Sequence, residues 1–278
     1  MESVLSPTVL GRLTRETLFW LATVRPAGTP HLAPLWYVWH NQRLYIFTRG
    51  TQLGNLRNNP AASLALQDGV RPVILEGEGV PVTDQAVFEE VAARYRARLM
   101  WDISAETGSM QLVEILPRKV LHWNGEARAE ELPIPSHPPP VPENPSVALQ
   151  RAEARLHREQ IIWLATVRLD GRPHLVPIWH VWHAGKVYIS TGQDSVKMRN
   201  IRRQPQVVLA LPNAMDVVLV RGVARPAPEL DDELAPHFLR KFDWDFRLDG
   251  EYGGLVEITP IKILTWRGDC REQLSRAL

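Results

Sequence analysis

The sequence predicts a mostly β protein with flanking helices, built as two tandem copies of one domain. The first observation is an internal repeat: Phe19–Thr48 and Ile162–Thr191 carry nearly the same residues, 143 positions apart. The second is that Val113–Gly125 and Val256–Gly268 match at the same spacing. The third is that each copy consists of short apolar segments separated by turn residues, which is typical of antiparallel strands. Solenoid repeats are only about 20–50 residues long, so we interpret this repeat as a duplicated domain.

The chain length supports this organisation, because 278 residues suit two domains of about 100–200 residues each. We predict domain 1 over residues 1–125, a linker over 126–150 and domain 2 over 151–278. Seven prolines lie between Pro133 and Pro145. Such a segment is a semi-rigid spacer that extends by about 3.1 Å per residue.

Composition is that of an ordinary globular protein, with 45% hydrophobic and 23% charged residues and a net charge of +1. The charge gives no reason to expect a nucleic-acid or membrane partner. A single cysteine, Cys270, excludes an internal disulfide. Met1–Thr17 lacks the apolar core of a secretory signal, and no apolar run reaches the ~20 residues of a spanning helix. We therefore expect a cytoplasmic protein.

The first copy is predicted to contain six strands and three helical segments. Ser6 and Pro7 mark a helix start, and a second helix is predicted over Gln85–Leu99, whose apolar residues recur every four positions. His31–His40 carries large apolar groups on both faces, so we expect it to be covered on both sides, like a barrel wall. The predicted strands are Phe19–Arg25, His31–His40, Arg43–Thr48, Ala61–Gln67, Val73–Val82 and Leu112–Trp123, with a short helical turn at Leu53–Asn58.

The second copy repeats this plan. A helix is predicted at about Ala148–Gln160 and another over Asp231–Phe242. Asp170 and Gly171 form the two-residue turn of a tight hairpin. The predicted strands are Trp163–Arg168, His174–His183, Lys186–Thr191, Val207–Leu211, Val217–Ala224 and Leu255–Trp266.

A cluster of polar residues follows the third strand of the second copy, where a helix begins: Ser195, Lys197, Arg199 and Asn200. Free N–H groups at a helix start and charge-assisted donors suit a phosphate. The first copy is two residues shorter here and lacks the lysine, although Arg49 and Arg57 offer partial replacement. One charge-assisted contact contributes about 1.5–3 kcal/mol. We therefore predict one competent site, on the second copy, and a weakened or lost site on the first.

The order of these motifs, found twice, resembles the pyridoxamine 5'-phosphate oxidase-like, FMN-binding split-barrel superfamily, especially its flavin/deazaflavin oxidoreductase branch. The resemblance covers Phe19–Gly125 and Ile162–Gly268. It implies two tandem split β-barrels that pair within one chain as an intramolecular pseudo-dimer, with flavin in the groove between barrels. It also implies a flavin ring along the Pro-x-Trp strand, a phosphate held after the next strand, and a tryptophan closing the site from the other barrel.

Carried onto this sequence, the resemblance gives two sets of cofactor-binding residues. The set on the second copy comprises Val176, Pro177, Ile178, Trp179, Thr191, Ser195, Lys197, Arg199 and Asn200, closed by Trp123. The set on the first copy comprises Ala33, Pro34, Leu35, Trp36, Thr48 and Arg57, closed by Trp266.

Several of these residues also have structural interpretations. Most tryptophans are expected in cores or in the domain interface, and Lys197 and Arg199 in a solvated helix face. His31 and His174 are expected to be hydrogen-bonded structural groups. His180 and His183 point to opposite faces of one predicted strand, which disfavours a metal site.

The expected function is an FMN-dependent oxidoreductase that acts on an unknown small-molecule substrate. No nucleophile–base pair stands out, as expected where the cofactor supplies the chemistry. The alternatives are a reductase using the deazaflavin coenzyme F-420, with Arg202 and Arg203 near its tail, a non-catalytic flavin- or haem-binding protein, and a pair that binds nothing. The Arg-x-His segment of pyridoxamine-phosphate oxidase itself is not found after Trp266, so that activity is not expected. Assembly beyond the internal pseudo-dimer stays open.

Overall fold

The structure is a computed structural model that describes residues 5–103, 110–123 and 145–268. Most of the predicted linker and Cys270 lie outside the described residues. The predicted domain boundaries therefore remain a prediction. Within the described ranges, no helix has the length and apolar character needed to cross a bilayer.

The first half contains three helices and seven strands. In chain order these are α1 (Pro7–Arg15), β1 (Leu18–Val24), β2 (Pro30–Trp36), β3 (Val38–His40), β4 (Arg43–Thr48), α2 (Gly50–Asn58), β5 (Ala61–Leu66), β6 (Val73–Pro81), α3 (Gln85–Leu99) and β7 (Gln111–His122).

The second half repeats the same order. Its elements are α4 (Pro145–Arg158), β8 (Ile161–Val167), β9 (Pro173–Trp179), β10 (Val181–His183), β11 (Lys186–Thr191), α5 (Val196–Arg203), β12 (Gln206–Ala210), β13 (Asp216–Pro226), α6 (Asp231–Phe242) and β14 (Gly254–Arg267). Short 3-10 turns at Pro228–Leu230 and Phe246–Leu248 flank α6.

Each half forms one seven-stranded antiparallel sheet. The strand orders are β2-β1-β5-β6-β7-β4-β3 and, for the second half, β9-β8-β12-β13-β14-β11-β10. The two consecutive strands β2 and β3 occupy opposite edges of their sheet although one residue separates them. The sheet must therefore curl until its edges meet, which gives a barrel with a split between β2 and β3. The prediction of two tandem split barrels is confirmed.

The prediction of a single long strand over His31–His40, and over His174–His183, is wrong: each is broken after the Pro-x-Trp motif. The backbone N–H of Tyr37 donates to the carbonyl oxygen of Thr17 (3.0 Å), and that of His180 donates to Gln160 (3.1 Å). These two peptides leave the ladder to bond the segment before β1 or β8. The halves therefore have seven strands each, not six.

Local signals predicted the helices well. Ser6 caps α1 by accepting a hydrogen bond from the N–H of Val9 (3.3 Å), and Asp84 caps α3 in the same way. The predicted bounds of α3 and α6 match the structure, whereas α4 begins at Pro145, before the predicted Ala148. The predicted helical turn at Leu53–Asn58 is the end of the longer α2.

Four apolar clusters form the core of the described residues, and one of them packs α6 against β10 and β11. Two others fill the barrels, with Leu21 and Ile46 in the first and Leu164 and Ile189 in the second. The largest includes Trp20 and Trp163 and draws on both halves. The strands that meet across the two halves are β1, β2 and β5 of the first half and β8, β9 and β12 of the second. The halves therefore share a buried core, as the predicted internal pseudo-dimer requires.

The interface is pseudo-symmetric at the level of single hydrogen bonds. Trp20 donates from Nε1 to the carbonyl oxygen of Pro212 (3.0 Å), and the equivalent Trp163 donates to that of Gln67 (3.4 Å). Both tryptophans are fully buried. Such reciprocal contacts define an isologous interface, here formed within one chain.

Candidate functional site

The candidate site lies in a groove between the halves. The second half contributes β9, with the start of α5 nearby, and the first half contributes β5, β6 and β7. The part of the groove that crosses from one half to the other encloses about 230 Å³. Its wall comprises Ala61, Ala62, Glu76, Gly77, Glu78, Arg118, Lys119, Arg172 and Pro173.

Lys197 adds a further cation beside this groove, near His174. It lies in the first turn of α5, half-buried, and burial lowers the pKa of its ammonium group. Within the described residues its Nζ has no carboxylate or other hydrogen-bond partner. A charge removed from water without a partner is costly. The surroundings of Lys197 therefore favour the binding of an anionic ligand over the alternative interpretation, a solvated helix face.

Ser195 has a structural task at the start of α5. Its Oγ accepts a hydrogen bond from the N–H of Met198 (3.2 Å) and lies 3.1 Å from the Oγ1 of Thr191. Both hydroxyls are thereby held beside the first turn of the helix, next to Lys197. The structure thus places both predicted hydroxyls at the start of the helix that carries Lys197.

Asn200 faces the barrel, not the groove mouth. Its Nδ2 donates to the Oγ1 of buried Thr166 (2.9 Å), which in turn lies 3.4 Å from the Nδ1 of His174. The first half repeats this bond, from Asn55 to Thr23 (2.9 Å). Because the bond occurs in both halves, we interpret it as structural: it holds α2 against β1 and α5 against β8.

His174 lies where charges from both halves meet. Burial, followed by the positive charges of Arg168, Lys197 and Lys119, lowers the pKa of His174 to about 3. Its imidazole is therefore neutral at physiological pH. Since Lys119 belongs to β7 of the first half, the groove is cationic on both walls.

The two Pro-x-Trp strands differ in exposure. Val176, Pro177 and Ile178 of β9 are half-buried and Trp179 is 40% exposed. The equivalent strand β2 is covered throughout the motif, and the hydroxyl of Tyr95 donates to the carbonyl oxygen of Trp36 (2.9 Å). The buried residues of the motif are Ala33, Pro34, Leu35 and Trp36. Only the strand of the second half is therefore open along the predicted ring site.

Trp179 is part of an exposed aromatic group. Its ring stacks on Phe242, with centroids 4.8 Å apart and planes 4° apart, and meets the ring of Trp244 edge-on at 5.9 Å. The two tryptophans predicted to close the sites also differ. Trp123 is 44% exposed, whereas Trp266 packs against the interface core with its Nε1 buried and unpartnered.

The remaining predicted residues differ in exposure. Arg199 is exposed and its guanidinium donates to the carbonyl oxygen of Asp194. Arg57 is exposed near the end of α2, and Thr48 is buried at the end of β4. The arginines considered for a deazaflavin tail bond to backbone carbonyls, Arg202 to Gln193 (3.2 Å) and Arg203 to Arg168 (2.7 Å).

Of the histidines beyond His174, only His183 and His237 are seen to meet within the described residues. His180 is buried and its Nε2 lies 3.0 Å from the carbonyl oxygen of Leu156, while the rings of His183 and His237 lie 4.1 Å apart. His31 was expected to be hydrogen-bonded, but its Nδ1 is buried without a partner. In the described parts of the chain, no group of three or more His, Cys, Asp and Glu side chains is placed to hold a metal ion.

Sequence reasoning named Trp123 and Trp266 from the opposite halves but missed the charged residues that meet at the groove. Arg168 bonds Glu76 across the interface (2.7 Å), and Arg118 bonds Glu78 on the first-half wall (3.2 Å). The repeat itself contains the missing signal. When the two copies are aligned with the two-residue deletion of the first copy, Glu76 is equivalent to Arg221. The charge is reversed at this position, which shows that the copies have diverged there.

The family follows from a comparison with known protein families. The family model described as "Pyridoxamine 5'-phosphate oxidase" matches the chain twice, over residues 5–124 and 148–267. The chain belongs to the pyridoxamine 5'-phosphate oxidase family. Both halves are family domains, and the two matches cover most of the sequence. No curated protein matches the chain.

Solved structures similar to this family member each align with a part of the chain. A haem storage protein from Vibrio cholerae is 17% identical over 44% of this chain and 96% of its own, with a TM-score of 0.40. An FAD-binding protein from Mesorhizobium loti is 21% identical over 42% of this chain and 92% of its own, with a TM-score of 0.35. An F420 reductase is 23% identical over 40% of this chain and 94% of its own, with a TM-score of 0.33.

Proposed function

We propose that the chain is a flavin-binding oxidoreductase with one working cofactor site, in the groove built on the second half. The observation that carries this proposal is Lys197, a half-buried ammonium group with no partner among the described residues. The family supports it, since members of the superfamily that the sequence resembles bind flavin in this groove. FMN is the first choice of cofactor.

Each part of the groove has a task in this proposal. Lys197 and the hydroxyls of Thr191 and Ser195 would hold the phosphate, beside the first N–H groups of α5. The open backbone of β9 from Val176 to Trp179 would line the ring. Asn200 acts through Thr166 and keeps α5 in register with the sheet.

The protein's contribution is binding, orientation and exclusion of water. A bound flavin supplies two-electron or hydride transfer to a small organic acceptor. Because His174 is neutral, Lys197 and Lys119 would supply the positive charge that compensates a bound phosphate. The exposed stack of Trp179 on Phe242 offers an apolar surface at the end of the ring strand, where an acceptor would approach.

The test is the visible spectrum of the purified protein, followed by titration with FMN. We expect flavin bands and tight FMN binding in the wild type. Lys197→Ala should weaken FMN binding about ten- to hundredfold, because it removes one charge-assisted contact. The matched control is Gln52→Ala, at the position of α2 that corresponds to Lys197, and it should leave FMN affinity unchanged.

Other results would change the assignment. A colourless protein that binds the deazaflavin coenzyme F-420 and not FMN would identify a deazaflavin-dependent reductase. A Soret band after haem addition, with no flavin binding, would identify a haem-binding protein. If Lys197→Ala does not change the affinity for FMN, the assignment of the site is overturned. If no donor reduces the bound flavin, the protein is a flavin carrier.

A further inference from the structure

The pseudo-symmetry of the halves gives the described groove, here the second-half groove, a counterpart on β2 of the first half and β13 and β14 of the second, here the first-half groove. The two grooves differ in charge at one position. In the second-half groove, Arg168 is neutralised by Glu76 from the other half, at 2.7 Å. In the first-half groove, the equivalent residues are Arg25 and Arg221. An ion pair in one groove is thus replaced by two like charges in the other.

The surrounding positions follow the same trend. In the second-half groove, Glu78 pairs with Arg118 (3.2 Å) and Asp170 pairs with Arg172 (2.7 Å). The equivalents of these four residues in the first-half groove are Val223, Ile261, Ala27 and Thr29, none of them charged. Lys119 is matched by Lys262. The first-half groove therefore holds Arg25, Arg221 and Lys262 with no carboxylate at any equivalent position.

Arg25 and Arg221 lie close enough for their charges to interact. Gln204 of the second half donates to the carbonyl oxygen of Gly28 in the β1–β2 turn (3.1 Å), which holds the turn carrying Arg25 against the strand region of Arg221. Burial, and then the charge of Arg221, lowers the pKa of Arg25. Burial, Arg25 and Arg221 together lower the pKa of His31 to about 3. Among the described residues, neither guanidinium has an acidic partner.

The first-half groove also contains polar atoms without partners. The Nδ1 of His31 and the Oγ1 of Thr48 are buried and unbonded. In the second-half groove, the corresponding atoms of His174 and Thr191 have a hydroxyl within 3.4 and 3.1 Å. Buried polar atoms are normally satisfied, so these two indicate a ligand.

We infer that the first-half groove is a second, separate site that takes a compact phosphate-bearing anion and no flavin ring. The ring strand β2 is buried along Ala33–Trp36, where Tyr95 of α3 bonds the carbonyl oxygen of Trp36, and this leaves no room for a flavin ring. A small anion needs only the cationic end of the groove. Guanidinium groups suit it, because they bind phosphate oxygens through two donors at once. The inference does not depend on the flavin proposal, since it uses other residues.

The experiment is isothermal titration of the full chain with inorganic pyrophosphate, at ionic strength matched with chloride. All variants are made in the Lys197→Ala background, which removes the ammonium group of the second-half groove. We expect one bound pyrophosphate. Arg221→Glu restores the ion-pair arrangement, now with Arg25, and should lower the affinity by about ten- to hundredfold or more.

The reciprocal variant is Glu76→Arg, which makes the second-half groove resemble the first. We expect it to raise the stoichiometry from one pyrophosphate to two. If Arg221→Glu does not fold, as judged by circular dichroism, Arg221→Gln removes the charge with less disturbance. Pyrophosphate binding that survives loss of the Arg221 charge would overturn the inference, and so would absence of binding in the Lys197→Ala background. FMN absorbance, measured in parallel, reports on the flavin proposal separately.

Discussion

Asn59 in the first half donates a hydrogen bond from Nδ2 to the carbonyl oxygen of Gly171 in the second half, over 3.0 Å. The equivalent residue Gln204 donates to Gly28 over 3.1 Å, although its side chain is one methylene longer. Each half thus holds the hairpin turn of the other. Because these turns carry Arg168 and Arg25 respectively, the same contacts fix the two grooves.

We therefore expect the double substitution Asn59→Ala and Gln204→Ala to loosen the halves from each other. Each lost hydrogen bond should lower the free energy of unfolding by about 0.5–1.5 kcal/mol, and distant sites should add. Urea denaturation measures the effect, with exposed Asn58→Ala as the control. A double variant as stable as the wild type would show that these bonds do not join the halves.

The ion pair between Arg168 and Glu76 should contribute more than a surface pair. Both side chains are largely buried, at 21% and 16% exposure. A double-mutant cycle with alanine should give a coupling of about 1–3 kcal/mol, because removal of one partner leaves a charge poorly solvated. The cycle for the exposed pair of Arg172 and Asp170 should give about 0–1 kcal/mol. Equal couplings for the two pairs would contradict this prediction.

Asn55 and Asn200 should behave alike, because each donates to a buried threonine at 2.9 Å. We expect Asn55→Ala and Asn200→Ala each to lower the free energy of unfolding by about 1–3 kcal/mol, the cost of leaving a buried group unsatisfied. Thermal melts of the two variants test this. A loss confined to cofactor affinity in Asn200→Ala, with unchanged stability, would instead assign Asn200 to the phosphate.

Stability should fall in mild acid. Burial is the largest cause that lowers the pKa of His31, His174 and His180 to about 3, against about 6.5 in an unfolded chain. Between these values the unfolded chain binds more protons than the folded chain, so the free energy of unfolding decreases as the pH falls from about 6.5 toward 3. Each histidine adds a slope of about 1.4 kcal/mol per pH unit.

The chain supplies a matched substitution for this slope. Tyr37 occupies the place of His180 in the first half, where its hydroxyl donates to the carbonyl oxygen of Leu13 (3.0 Å). His180→Tyr should therefore make the pH dependence shallower by about one proton, and Tyr37→His should make it steeper. Chemical denaturation from pH 7 to pH 4 gives both slopes. Unchanged slopes would mean that these positions do not titrate on unfolding.

Much of the fold could be predicted from the sequence because its signals are local. Asp84 caps α3 through the N–H groups of Ala86 and Val87, which are at most three residues away, so the sequence alone predicted where α3 begins. The duplication needed only a comparison of the chain with itself. The strand break at Tyr37 could not be read in this way, because it depends on bonds to Thr17 and Leu13 in another part of the fold.

The candidate site divides in the same manner. The sequence by itself determined the duplicated fold, the position of Lys197 at a helix start and its absence from the first copy, since these are matters of residue type and spacing along the chain. Only the tertiary structure decided that β2 is covered while β9 is open. It also decided that Glu76 forms an ion pair with Arg168, whereas Arg221 lies near the like charge of Arg25. Burial and charge pairing depend on side chains that meet across the interface, and the spacing within either copy does not record which residues those are.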